Sequence, residues 1–67
     1  MSSFAALTDV ASSLQLTVGG DVPFRAVSTR VLLRTGVNLR DPRPDQVRDR
    51  AAIDKVVKAL ADMGMAL

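Results

Sequence analysis

The sequence predicts an all-α fold, a small three-helix domain spanning residues 1–67, with a short extended segment near 15–18. Two observations carry this. Apolar residues recur three and four positions apart in three separate stretches, the spacing of one helix face. Glycine or proline stands at the boundaries between those stretches, where helices stop or restart.

The first stretch is Phe4, Leu7, Val10, Ala11 and Leu14, with Ser2 or Ser3 placed to cap it, predicting a helix over about 3–14. In "LQLTVGGD" the residues Leu14, Leu16 and Val18 alternate before a glycine pair, a pattern that fits a short strand or an extended loop. Asp21 is then placed to cap a second helix over about 22–35, with Pro23 in its first turn, where the missing N–H costs nothing. Phe24, Val27, Val31 and either Leu32 or Thr35 form its inward stripe, and Gly36 ends it.

"VNLRDPRPDQ" reads as a stiff connection, because Pro42 and Pro44 remove two donors and push Asp41 and Arg43 toward extended backbone. A third helix starts between Pro44 and Arg50. It carries Val47, Ile53, Val56, Val57, Leu60 and Met63 inward and stops at Gly64. Asp45 and Asp49 suit its positive amino end, and Asp54 with Lys58 is a favourably ordered i,i+4 pair.

"LLRTGVNL" at 32–39 and "LADMGMAL" at 60–67 share one skeleton: Leu, three residues, Gly, apolar, any, Leu. The physical reading is a helix ending on a left-handed glycine, followed by an apolar residue that folds back on the last turn. "SSLQL" at 12–16 is a looser third copy with Ser13 in place of glycine. On this reading Leu16, Leu39 and Leu67 each enter the core after a helix stops.

The core must be built from Leu, Val, Ile, Met and Ala, since Phe4 and Phe24 are the sole aromatics. A 67-residue chain is near the size at which one core barely suffices, so a partner covering apolar surface would help. The amino terminus lacks the basic start of a signal peptide, and no apolar run approaches the length of a membrane span. A soluble cytoplasmic or virion protein, with no membrane partner, is the expectation. Acidity comes only from Asp and most base from Arg, in an Ala- and Val-rich chain of the kind high-GC bacterial or phage genes encode.

Chemistry is constrained by what is missing. The chain has no His, Cys, Tyr, Trp or Glu, which removes the usual general bases, soft metal ligands and nucleophile partners. No enzyme, cofactor, metal or small-molecule substrate is expected. Ser28 and Thr29 have no base at a useful spacing and read as helix-face hydroxyls. Asp41, Asp45 and Asp49 recur every four residues, but prolines and arginines fill the gaps where a calcium loop needs oxygens around a glycine turn. They read as helix-end charge compensation, with solvated pairing to Arg43 and Arg48. The glycine pair in "TVGGDVPF" precedes a helix amino terminus, a phosphate-binding geometry, but lacks the P-loop Lys, and Asp21 would repel an anion.

The arginines stand above this background. Residues 1–22 hold Asp9 and Asp21 and no base, whereas residues 23–50 hold seven arginines against three aspartates. Arg25, Arg30, Arg34, Arg40, Arg43, Arg48 and Arg50 are therefore the candidate partner-binding residues, weighed against a plain solvated face whose stems cover apolar surface. The sequence points to a non-enzymatic interaction module: an adaptor, assembly subunit or small regulator that binds another protein or a second copy of itself. The alternative is a small DNA-binding regulator using an arginine-rich face. Connections of about eight residues or more argue against a helix-turn-helix, and no aromatic among the arginines offers a base-stacking platform.

Overall fold

A computed structural model describes residues 3–18, 23–65 and 67. It contains α1 (Leu7–Val18), α2 (Phe24–Thr35) and α3 (Arg50–Asp62), each packed against the other two, with no strand among the described residues. The radius of gyration of 10.6 Å matches the roughly 11 Å expected of one packed domain this long.

The stripes find one another. Leu7, Val10 and Leu14 of α1, Val27 and Val31 of α2, and Ile53, Val56 and Leu60 of α3 are buried together with Val37 and Leu39 from the α2–α3 connection. Phe4, Phe24, Val57, Met63 and Met65 pack around them half-buried, so neither aromatic sits at the centre. Ala52 and Ala59 are also buried on α3, where small side chains allow close approach to the neighbouring helices.

The first helix departs from expectation at both ends. It begins at Leu7 rather than near residue 3, and Ser3 lies outside it, while Ser2 is outside the described residues. Its start is fixed from a distance: the Leu7 N–H donates to the Val47 carbonyl at 2.8 Å, and the Ala6 carbonyl accepts from Asp9 and Val10. At the other end the extended segment expected over 15–18 is the last turn of α1. The helical spacing Leu7, Val10, Leu14, Val18 continues through it, and Thr17 Oγ1 donates to the Ser13 carbonyl at 2.9 Å, so helical periodicity overrides the local alternation. The "SSLQL" copy is therefore helix interior, and Leu16 is 86% exposed rather than in the core.

α2 starts at Phe24, with Pro23 at the cap position (φ −62°, ψ 131°) and not in the first turn. The Pro23 carbonyl accepts from Ala26 and Val27, and no side chain among the described residues caps this end; the expected cap Asp21 and the expected helix start at residue 22 fall outside the described residues. At its far end Gly36 is left-handed (φ 78°), and its N–H donates to the Leu32 carbonyl at 2.8 Å, as the glycine motif predicts.

The connection that follows is anchored as well as stiff. Val37 and Leu39 are buried, the Asn38 carboxamide accepts from the Arg40 N–H at 3.0 Å, and turns over 44–48 lead to α3. Asp49 caps α3, its carboxylate accepting from the Ala51 N–H at 3.0 Å. Gly64 (φ 85°) closes the helix with two bonds, Gly64 N–H to Ala61 O at 3.0 Å and Met65 N–H to Leu60 O at 2.9 Å, the Schellman arrangement. The expected Asp54–Lys58 pair is replaced by Arg50–Asp54 at 3.3 Å, because Asp54 has a cation one turn away on either side.

Candidate interaction surface

All seven candidate arginines are exposed, and they do not gather on one face. Arg25, Arg30 and Arg34 lie on α2, Arg40, Arg43 and Arg48 on the connection, and Arg50 opens α3. At 3.6 residues per turn, Arg30 and Arg34 are neighbours along α2, while Arg25 lies about 140° around the helix from Arg30. Arg43 is held by Asp45 through two parallel bonds of 3.1 Å, and Arg50 stands against Asp54. Asp54 Oδ1 is covered from solvent and accepts no hydrogen bond, so the Arg50 contact is one of charge without good alignment. Arg25, Arg30, Arg34, Arg40 and Arg48 make no ion pair among the described residues, so the solvated Arg48 pairing expected from the sequence is not formed.

Two features of α2 stand out. On its outer side Ala26, Thr29, Arg30 and Leu33 are all exposed, and Leu33 at 81% is one of the two most exposed large apolar side chains described. Leu33 follows Arg30 by one turn and precedes Arg34 in sequence, lying about 60° around the helix from Arg30 on the side away from Arg34, and neither arginine forms an ion pair among the described residues. On the flank toward α3, a shallow depression of about 300 Å³ is lined by Arg34, Thr35, Lys55, Lys58, Ala59 and Asp62. It collects three cations against one carboxylate. The Thr35 hydroxyl is already engaged, donating to the Val31 carbonyl at 2.7 Å and accepting from the Val37 N–H at 3.1 Å, so free donors come only from the cations.

Lys55 and Lys58 are the surface cations that sequence reasoning missed, since Lys58 was assigned to Asp54. Their three-residue spacing on α3 was the available signal.

The remaining polar groups are engaged locally. Ser28 is buried and its hydroxyl donates to the Arg25 carbonyl at 3.0 Å, while Thr29 donates to the same oxygen at 2.9 Å. Asp45 and Asp49 are committed to Arg43 and to the α3 cap, and no cluster of three or more metal-ligating side chains occurs among the described residues. The surface thus offers unpaired cations and an exposed apolar side chain.

No protein-family model, curated protein or solved structure matches the chain. The fold and this surface therefore define its class: a small helical domain with an apolar and cationic outer helix. No helix among the described residues is long and apolar enough to cross a membrane.

Proposed function

We propose that the protein is a non-enzymatic interaction module, an adaptor, assembly subunit or small regulator, that docks through the outer face of α2 on another protein or a second copy of itself. The observation that supports this most is Leu33, 81% exposed and beside Arg30 and Arg34 on α2, neither of which has an ion-pair partner among the described residues. A leucine that a partner would cover, with arginines beside it, suits a protein interface, where arginine is enriched. Arg34, Lys55 and Lys58 extend the positive charge onto the flank, so the complementary surface is acidic.

The second reading is DNA binding. It draws support from the same three cations. The connection over 36–49, with its two prolines, is still far longer than the turn of a helix-turn-helix.

A photo-crosslinking amino acid at Leu33, with a control at the exposed Ala61 of α3, separates these readings in the cells that make the protein. Protein adducts specific to position 33, identified by mass spectrometry, are expected. Nucleic-acid adducts, together with duplex binding that falls steeply with salt, would establish the second reading instead.

A further inference from the structure

The molecule has a second outer face that matches the first in spacing and opposes it in charge. On α1, Asp9, Ser12 and Leu16 are exposed, and Leu16 at 86% is the most exposed large apolar side chain described. Asp9 and Leu16 are seven positions apart, which places them on one face about 10 Å apart along the helix axis. On α2 the same seven-residue step joins Ala26 to Leu33, with Arg25 and Arg30 on either side of the small Ala26. α1 carries Asp9 and no base; α2 carries three arginines and no acid.

We propose that the partner on the outer face of α2 is a second copy of this chain, presenting the outer face of its α1. With the helices side by side in parallel, Leu16 of one copy lies on Leu33 of the next. Asp9 then falls over Ala26, between Arg25 and Arg30. Ser12 between the two anchors is small enough to let the helices approach. Two partly apolar helix faces bury less than a standard interface of about 1,600 Å², so the association is weak and concentration-dependent. This inference rests on the reading of α2 as a docking face and names its occupant.

The test uses the full chain with Leu16→Ser and Leu33→Ser variants, followed by sedimentation across concentration, with circular dichroism confirming that each remains helical. The unaltered chain is expected to gain mass with concentration and each variant to stay monomeric alone. A mixture of the two is expected to associate, because the intact Leu16 face of one meets the intact Leu33 face of the other. Asp9→Arg and Arg30→Asp provide an independent pair, each weakening association about fivefold and regaining it on mixing, as expected for one exposed charge pair.

An unaltered chain that stays monomeric to millimolar concentration would overturn the second copy as partner. The crosslink at position 33 would then decide separately whether α2 docks on a different protein. Association of the unaltered chain without rescue in either mixture would also overturn the proposed contact.

Discussion

α2 and α3 end on the same written pattern, Leu, three residues, Gly, apolar, any, Leu, yet the two ends do different things. After Gly36 the chain turns inward: Val37 and Leu39 are 2% and 3% exposed and complete the core. After Gly64 it skims the edge, with Met65 half-buried and Leu67 38% exposed. The hydrogen bonding differs too. Gly36 closes with one bond to Leu32, whereas Gly64 and Met65 close with the paired bonds to Ala61 and Leu60. A left-handed glycine fixes where a helix stops; where the chain goes next depends on what it meets. The α2 exit leads into the space between all three helices, and the α3 exit leads to their rim.

The contrast breaks most visibly at the terminal leucines. Leu39→Ala is expected to cost about 2–5 kcal/mol by chemical denaturation, the range for emptying a buried leucine site, enough to unfold much of a domain this small. Leu67→Ala is expected to stay within about 0.5 kcal/mol, since its side chain is far from fully buried. Similar losses at both positions would mean that the two exits are equivalent after all.

The glycines sharpen the comparison. A Cβ at either position would meet no atom within 4 Å, so the cost of Gly36→Val and Gly64→Val comes from the positive φ alone. More than about 1 kcal/mol is expected at each, with a matching fall in melting temperature. A much larger loss at Gly36 would show that its turn also sets the depth of Val37 and Leu39.

At the helix starts, Asp49→Ala is expected to remove about 1 kcal/mol through loss of the α3 cap. Among the described residues no side chain caps α2, where Pro23 holds the cap position. The smallest effect belongs to Arg43→Ala. Its pair with Asp45 is largely exposed, and thermal melts at low and high salt should differ from the unaltered chain by no more than about 0.5 kcal/mol.

The sequence was most legible where a single residue type dictates local geometry. Gly36, Gly64 and Asp49 act within one turn of themselves, and the stripes of α2 and α3 follow from periodicity, except that Val47 lies in the turns before α3. α1 was misread because its start depends on Val47 and its final turn competes with an alternating pattern that local reading cannot arbitrate. Of the surface, the exposure of the arginines was legible. Their division into paired and unpaired groups was not, because it depends on which aspartates lie within reach after folding. Lys55 and Lys58 join Arg34 only through the packing of α3 against α2, a relation between positions more than twenty residues apart.

The bond from the Leu7 N–H to the Val47 carbonyl has a kinetic meaning as well. The N–H that opens α1 finds its acceptor only when a segment forty positions downstream is in place. Closing that bond requires the long-range packing of the domain, unlike the bonds inside the helices, which join near neighbours in sequence. The Leu7 amide should accordingly be among the slowest to exchange its hydrogen, opening only with the whole domain, although it stands at the very beginning of a helix, where fraying is the rule.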